Sequence, residues 1–256
     1  WSQYWNRQYP DEMCSAIPEV EAAGTIFPYP YPAGYICHDY SVKRNQTIDN
    51  LNIKCSHAER EGLEVFPFEF IEGGLDNFVT EDNMIISEEV ADKYNLKVGD
   101  ILNLGRGLSS DMTRTIVGVF KNFPEPSNIA VCEGWVCLEP QEQTSENNWN
   151  DPFYIRLKEG TSHEEVAEKM INHMIDKWRK NGYSEKEVEF SKSQINPRLN
   201  PLSELYFAED IVSEGFKGSR STTLTLIAIA VLILVISFIN FVNFFFALIP
   251  VRIRAV

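Results

Sequence analysis

The sequence predicts an α+β fold, in which a two-lobed extracytoplasmic domain is followed by one transmembrane helix. Three observations lead to this fold class. Residues 60–138 contain a series of short β-branched stretches separated by turn signals, and residues 153–193 alternate between strand and helix patterns. Residues 224–249 contain no charged side chain in 26 positions. As a helix they would extend about 39 Å, which exceeds a hydrocarbon core of about 30 Å.

These changes of pattern divide the chain into four parts. One lobe is a discontinuous, mixed α/β unit made of residues 1–58 and 139–208, and a β-rich lobe, residues 59–138, is inserted into it. Residues 209–223 are a membrane-proximal linker, and residues 224–251 are the transmembrane helix. A chain of this length can bury a substantial core, so both lobes can fold as packed units.

The N-terminal part reads as a helix over residues 1–23, followed by a β-hairpin around the turn-like sequence RNQT. In this hairpin Cys37 and Cys55 would lie nearly opposite each other, which predicts a disulfide between them. Two buried thiols are the alternative. His38 and His57 add potential zinc ligands, but alternation along the strand points His38 away from Cys37. That leaves three ligands where a structural zinc site needs four.

The β-rich lobe contains three strand patterns, MII, ILNL and TRTIVGVF, which are rich in aliphatic and β-branched residues. Between the first two, Ser87 can cap a short helix. Glu88 and Glu89 follow it, and acidic side chains stabilise the first turn of a helix through its dipole. The sequence therefore predicts a strand, a helix and two further strands in this order.

After a polar linker at residues 139–151, the sequence FYIRL predicts another strand. Thr161 and Glu164 match a capping box for the helix that follows. Apolar residues recur at helical spacing on one side of this helix and predict its buried face: Val166, Ala167, Met170, Ile171, Met174, Ile175 and Trp178. The sequence VEFSKSQ then reads as a strand, so residues 153–193 would form a β-α-β unit.

Charge is distributed unevenly along the chain. Residues 1–219 contain all 37 Asp and Glu but 20 of the 23 Lys and Arg, which gives a net charge of −17. Such a field repels nucleic acid. Arg252 and Arg254 follow the apolar run, so the positive-inside rule places the C-terminus in the cytoplasm and residues 1–219 outside. The chain starts with Trp1 and carries no signal peptide, so we expect a fragment preceded by another membrane helix.

Polar and small residues recur along one side of the apolar run. Ser237, Asn240 and Asn243 are three residues apart, and Ala247 continues the pattern one turn later. Lipid would leave the amide groups without hydrogen-bond partners, whereas a neighbouring helix could satisfy them and pack closely against the small residues. We therefore predict that this side of the helix packs against other membrane helices.

Motifs for catalysis are incomplete or missing. His163 and Glu164 begin a possible H-E-x-x-H motif, but Ala167 occupies the position of the second histidine. The sequence also lacks G-x-S-x-G and G-x-x-x-x-G-K-[ST]. We therefore expect no enzymatic activity, no bound cofactor and no metal site on this chain.

A series of motifs resembles the MacB/FtsX-like permeases of ATP-binding-cassette (ABC) transporters, particularly the Bacteroidetes type. In chain order these are FEFIEGG, NMIISEEVADKYNLKVGDIL, TIVGVFKNFPEPSNI, NNWNDPFYIRLKEGTS and LNPLSELYF, followed by INFVN in the membrane helix. Together they cover residues 60–251. Each motif is weak by itself, but their order is specific to this family.

The resemblance implies a periplasmic core domain with a porter-like α/β lobe and a β-rich lobe, anchored in the bacterial inner membrane. It implies a role in export or mechanotransmission, with ATP bound by a separate or fused ABC ATPase. Other implied partners are a second permease protomer, membrane lipid, and a periplasmic adaptor or cell-envelope protein. Two other classes stay open: the ligand-sensing outer domain of a single-span signalling receptor, and an exported hydrolase.

Overall fold

The structure is a computed structural model that describes residues 2–5, 9–27, 39–108, 111–124, 132–138, 151–194, 199–207 and 218–253. Its strands are β1 (Ser2–Trp5), β2 (Val20–Thr25), β3 (Asp39–Arg44), β4 (Thr47–Asn52), β5 (Cys55–Ala58), β6 (Phe70–Gly73), β7 (Asn83–Ser87), β8 (Ile101–Leu104), β9 (Thr113–Phe120), β10 (Gly134–Cys137) and β11 (Asp151–Leu157). Its α-helices are α1 (Tyr9–Ala16), α2 (Arg60–Glu64), α3 (Glu88–Tyr94), α4 (His163–Lys180), α5 (Glu185–Gln194) and α6 (Arg220–Ile253). A 3₁₀ helix, Leu202–Phe207, precedes α6 and is called the pre-membrane segment below.

The small sheet has three strands in the order β1-β11-β2. Both pairings are antiparallel, so β1 and β2 run parallel to each other with β11 between them. Helix α1 connects these two strands and completes a split β-α-β unit. The helix predicted over residues 1–23 is therefore wrong at both ends. There, pairing with β11 provides the backbone hydrogen bonds that a helix would otherwise supply.

Helix α4 contributes an apolar face to the core of the small sheet. Its buried residues are Val166, Ala167, Met170, Met174 and Ile175. They share this core with residues of α1 and of strands β2 and β11, including Met13, Ile17, Val20, Ala23 and Phe153. The apolar face predicted for this helix is confirmed at these five positions, whereas Ile171 and Trp178 are half-buried.

The N-terminus of α4 is capped by Ser162 rather than Thr161. The Ser162 hydroxyl accepts a hydrogen bond from the Glu165 backbone N–H at 3.3 Å and donates one to the Glu164 carboxylate at 2.8 Å. The capping box predicted for Thr161 is therefore displaced by one residue. The reason is local, because the serine next to Thr161 offers the same hydroxyl chemistry.

The strand predicted from VEFSKSQ is a helix. Its residues, 188–194, lie in α5. The Ser184 hydroxyl accepts from the Glu187 N–H at 3.5 Å, and the Glu187 carboxylate accepts from the Ser184 N–H at 2.7 Å, which is a capping box. Residues 153–193 thus form a strand followed by two helices, and the β-α-β unit lies at the N-terminus of the chain instead.

The large sheet has the strand order β4-β3-β8-β9-β7-β10-β5, and β6 pairs with the end of β9. The pairs β7–β9 and β10–β5 are parallel, whereas the other pairings are antiparallel. Strands β4 and β5 lie at opposite ends of this order, yet only Ile53 and Lys54 separate them in the chain. The sheet must therefore curve until its two ends approach each other.

One face of this sheet packs with α3 around a core of aliphatic residues. The core consists of Tyr40, Val42, Leu51, Ile53, Cys55, Met84, Ile86, Val90, Ala91, Leu96, Leu102, Ile116, Val119 and Val136. The strands predicted from MII, ILNL and TRTIVGVF are β7, β8 and β9. Ser87 caps α3 by accepting a hydrogen bond from Val90 N–H at 3.4 Å, as the sequence predicts.

Strand pairing shifts the predicted boundary between the lobes. Strands β3, β4 and β5 pair within the large sheet, so residues 39–58 belong to the β-rich lobe and not to the α/β lobe. The hairpin prediction is confirmed for β3 and β4, in which Asp39 is opposite Asn52. Cys55, however, begins a separate strand and pairs with Gly134 of β10. The predicted linker over residues 139–150 lies outside the described residues.

Candidate functional site

Helix α6 is the predicted membrane segment, and it is longer than residues 224–251 at both ends. It begins where the Ser219 hydroxyl accepts a hydrogen bond from Thr222 N–H at 3.2 Å. The hydroxyls of Thr223 and Thr225 donate to the backbone carbonyls four residues earlier, at 3.0 and 2.8 Å. These hydroxyl groups near the start of α6 are therefore hydrogen-bonded within the helix itself.

The surface of α6 is apolar and uncovered. In the described part of the chain it is the one helix whose length and composition fit a membrane span, over the 27 residues Arg220–Phe246. None of this span is buried against the rest of the protein. Apart from the half-buried Val242, its leucine, isoleucine, valine and phenylalanine side chains are exposed. An exposed patch of this size marks a surface that lipid or another helix covers.

The predicted packing residues lie on one side of α6. Ser237, Asn240 and Asn243 are exposed, and at about 100° per residue the two asparagines lie about 60° apart around the axis. Phe238 and Phe245 project about 160° from the asparagine that is nearest to each of them in the chain. The side that carries Phe238 and Phe245, called the aromatic side below, thus lies opposite the side of the asparagines, called the amide side, although Phe244 lies only about 40° from Asn240. Ala247 lies within α6, but its side chain is outside the described part.

The pre-membrane segment connects α6 to the folded domain. Leu205 of this segment is only 2% exposed and belongs to the core between the two sheets. The guanidinium group of Arg220, at the start of α6, lies 5.8 Å from the centre of the Phe207 ring, within the range of a cation–π contact. The chain is therefore anchored in the core shortly before it reaches the membrane helix.

The core between the sheets contains residues from both of them. The large sheet and α2 contribute Ala58, Leu63, Val65, Ile85, Val117, Phe120, Trp135 and Cys137, while Ile26 and Tyr154 come from the side of the small sheet. Aromatic rings extend this core, with Phe66 and Tyr154 in an edge-to-face contact at 5.4 Å. Leu205 thus contacts a core that both lobes share, which places the pre-membrane segment at their junction.

Only some of the residues in the cysteine predictions are among those that the structure describes. Cys37 and His38 lie outside the described residues, so the predicted Cys37–Cys55 disulfide and the possible zinc cluster stay predictions. Cys55 is buried. Burial raises the pKa of the Cys132 thiol well above its ordinary value, and this thiol donates a hydrogen bond to the Gly134 carbonyl at 2.8 Å. A thiol held in this way is protonated and unsuited to nucleophilic attack.

Titratable groups with shifted pKa values are mainly surface ion pairs in the described residues. A hydrogen bond from Lys121 at 2.7 Å lowers the pKa of Glu69, and one from Lys169 lowers the pKa of Glu19. The described residues also contain no group of three or more His, Cys, Asp or Glu side chains able to hold a metal ion. In this part of the chain, the most distinctive feature is thus the junction between domain and membrane helix.

Comparison with known proteins identifies the family. A family model described as the MacB-like periplasmic core domain matches residues 4–173, more than half of the chain. The chain belongs to this family. Domains of this kind occur in ABC-type transporter permease-like proteins and usually work with ATPase partners. No curated protein matches the chain.

Solved structures include similar domains. A domain assigned to a permease protein from Porphyromonas gingivalis is 26% identical, with a TM-score of 0.54, and the match covers 74% of this chain and 82% of that one. It supports the Bacteroidetes-type resemblance. The periplasmic region of MacB from Actinobacillus actinomycetemcomitans is 6% identical, with a TM-score of 0.43 and coverage of 75% and 85%. The extracellular domain of the noncanonical ABC-type transporter YknZ from Gram-positive bacteria is 10% identical, with a TM-score of 0.40 and coverage of 68% and 84%.

The sequence predicts the amide side of α6, but it did not single out Leu205 of the pre-membrane segment, which the structure buries in the shared core. The motif LNPLSELYF contains Leu205, but nothing in its spacing distinguishes this leucine from Leu202, which is 44% exposed. A 3₁₀ helix of six residues is too short for periodicity to separate a buried side from an exposed one.

Proposed function

We propose that this chain is part of the permease subunit of an ATP-driven ABC-type complex that performs export or mechanotransmission. In this proposal residues 1–219 lie in the periplasm and α6 crosses the bacterial inner membrane. The chain performs no chemistry itself, and ATP binds to a partner ATPase. The observation that carries the proposal is a MacB-like periplasmic core domain joined, through a buried anchor, to an uncovered apolar helix.

The anchor supports a mechanical role. Leu205 of the pre-membrane segment lies in the shared core. Phe207 of the same segment lies 5.8 Å from the Arg220 guanidinium at the start of α6. A displacement of α6 would therefore reach the core through this contact. The amide side of α6 would pack against other helices of the complex, including those of a second permease protomer.

The central test is association with an ATPase. The full-length protein, tagged at its C-terminus, would be purified from membranes in mild detergent, and the eluate assayed for hydrolysis of MgATP. We expect an ABC ATPase to co-purify in stoichiometric amount and to account for the activity. A protein that purifies without any ATPase, and continues beyond α6 into a coiled coil and signalling domain, would instead be a receptor.

The orientation can be tested separately by cysteine labelling in cells. Glu168, an exposed residue of α4, would be replaced by cysteine, as would Arg254 beyond α6. A membrane-impermeant maleimide should label Glu168→Cys once the outer membrane is permeabilised, and should label Arg254→Cys only after lysis. Labelling of Arg254→Cys before lysis would contradict the proposed orientation. The unsubstituted protein provides the background from its native cysteines, of which Cys14 is exposed.

A further inference from the structure

We infer that the two sheets and the pre-membrane segment form a single rigid body, so that α6 moves both lobes together and no ligand cleft opens between them. This inference rests on the proposed function for the source of the movement. It also distinguishes two mechanisms that the family membership leaves open: a lever that moves as a whole, and a clamp whose lobes close on a ligand.

The first observation is that the two sheets are hydrogen-bonded to each other. Beyond the end of β2, Ile26 forms an antiparallel bridge with Ala58, the last residue of β5. The Phe27 N–H donates to the His57 carbonyl at 2.9 Å, and the Glu59 N–H donates to the Thr25 carbonyl at 2.9 Å. An edge strand of the small sheet is thus paired with an edge strand of the large one. Separating the sheets would leave these backbone groups without partners.

The second observation is a contact of backbone against backbone. Gly24 of β2 and Gly62 of α2 approach so closely that neither can carry a side chain. A Cβ atom at Gly24 would lie 2.1 Å from the Gly62 nitrogen, and one at Gly62 would lie 2.3 Å from the Thr25 carbonyl oxygen. Glycine is used where two backbones must touch. Helix α2 therefore lies directly on β2, with no layer of side chains that could slide.

Two polar side chains reinforce this contact. The carboxylate of Glu59, which is 8% exposed, accepts a hydrogen bond from the Thr25 N–H at 3.1 Å. From the small sheet, the guanidinium of Arg156 donates to the carbonyls of Glu64 and Val65 at 2.8 and 3.4 Å. These carbonyls end α2, where unpaired acceptors and the negative end of the helix dipole favour a cation. Arg156 therefore holds α2 against the small sheet.

The third observation is the apolar core that lies beneath these contacts. It includes Ile26 and Tyr154 from the side of the small sheet, Trp135 and Phe120 from the large sheet, and Leu205 from the pre-membrane segment. Opening a cleft would expose all of these to water at once. The pre-membrane segment is buried in the same core, so it cannot be displaced relative to one lobe alone without breaking this packing.

Hydrogen–deuterium exchange on the full-length protein in lipid nanodiscs tests the inference. Residues 24–27 and 57–63, which form the contact between the two sheets, are called the joint below. Peptides covering these residues report on the joint, and the peptide covering 83–87 reports on the core of the large sheet. We expect the joint amides to exchange as slowly as those of 83–87. Exchange at the joint that is about tenfold faster, while both sheets stay protected, would reveal a hinge and overturn the inference.

A second arm uses the complex with its ATPase, with and without MgATP. A rigid lever predicts no change in exchange at the joint between the two states. Protection that differs between the states at 24–27 and 57–63 would instead support lobe closure and overturn the inference. If no ATPase co-purifies, the proposed function fails, whereas the exchange measured on the protein alone still decides whether the joint is rigid.

Substitutions make the test sharper. Gly62→Ala should increase exchange at the joint about tenfold or more, since the added Cβ forces α2 away from β2. The matched control is Glu61→Ala, an exposed position in the same helix, which should leave exchange unchanged. Arg156→Ala provides a milder variant if Gly62→Ala fails to fold, with increased exchange expected at residues 57–63. Wild-type exchange in both Gly62→Ala and Arg156→Ala would contradict the inference.

Discussion

Two regions of the molecule differ in how their apolar surface is covered: the joint, which connects the two sheets, and helix α6. At the joint, apolar side chains are buried and backbone groups pair with each other across the two sheets. Along α6, none of the membrane-length span is buried against the rest of the chain. The joint is therefore covered within this chain, whereas the apolar surface of α6 is not covered by the described part of the chain.

The two regions therefore control different properties of the protein. Substitutions at the joint should lower the stability of the folded domain, because they disrupt interactions within the chain. Substitutions on α6 should leave the domain intact and change only what the helix associates with. The following predictions are arranged to separate these two outcomes, beginning with the largest expected effect.

Trp135→Ala should have the largest effect on stability. This side chain is 1% exposed in the shared core, and replacing a buried tryptophan by alanine costs about 3–5 kcal/mol. The measurement is urea unfolding of the full-length protein in detergent, followed by intrinsic fluorescence and circular dichroism. Phe190→Ala is the control, because Phe190 is 67% exposed on α5 and should change the unfolding free energy by less than about 0.5 kcal/mol. Equal effects of the two substitutions would contradict the assigned core.

Leu205→Ala should have the next largest effect. Removing this buried leucine costs about 2–5 kcal/mol and should also loosen the pre-membrane segment. Leu202→Ala, in the same short helix but 44% exposed, is the matched control and should have little effect. Thermal unfolding measures the stability, and hydrogen exchange in residues 199–207 measures the loosening. An unchanged unfolding temperature in Leu205→Ala would contradict the proposal that Leu205 holds the pre-membrane segment in the shared core.

The comparison also shows which features the sequence could predict. The strands β7, β8 and β9, the cap at Ser87 and the apolar face of α4 were predictable, because each depends on residues close together in the chain. The signal for α5 was present as well. Ser184 and Glu187 form a capping box, a signal that the prediction of a strand from VEFSKSQ did not take into account.

The joint could not be predicted, because it depends on contacts between distant parts of the chain. Gly24 and Gly62 are 38 positions apart, and nothing beside either glycine indicates that it faces the other. For the same reason, the sequence did not predict that β3, β4 and β5 belong to the large sheet. Their place in the large sheet depends on the pairing of β3 with β8 and of β5 with β10, and in each pair the two strands lie far apart in the sequence.

A double substitution on α6 tests the other side of the comparison. Asn240→Leu with Asn243→Leu should leave the domain's unfolding temperature unchanged, while weakening helix association by about 0.6–2 kcal/mol for each hydrogen bond lost. Cross-linking between protomers in membranes measures this association. The matched control is Phe238→Leu with Phe245→Leu on the aromatic side, where we expect unchanged cross-linking. Equal losses in both double variants would show that the amide side is not the packing side.

The smallest effect is expected at an exposed ion pair of the large sheet. Lys121 lowers the pKa of Glu69 through a hydrogen bond, and Glu69 raises the pKa of Lys121 in the same way. A lowered carboxyl pKa contributes stability above the unfolded value of about 4.3, and this contribution is lost as the pH falls through the folded value. The raised lysine pKa contributes below about 10.4 and is lost as the pH rises through its folded value.

Lys121→Met should therefore lower the unfolding temperature slightly at pH 7, and the difference should shrink as the pH falls through the lowered folded-state pKa of Glu69. Salt should reduce the difference further, because both side chains are exposed and the pair is screened. Lys43→Met is the control, because Lys43 is an exposed lysine of β3 that lies outside this ion pair. If the effect of Lys121→Met were as large at acid pH as at pH 7, Lys121 would stabilise the domain through packing of its aliphatic chain and not through its charge. This exposed contact would then depend on apolar packing, as the joint does.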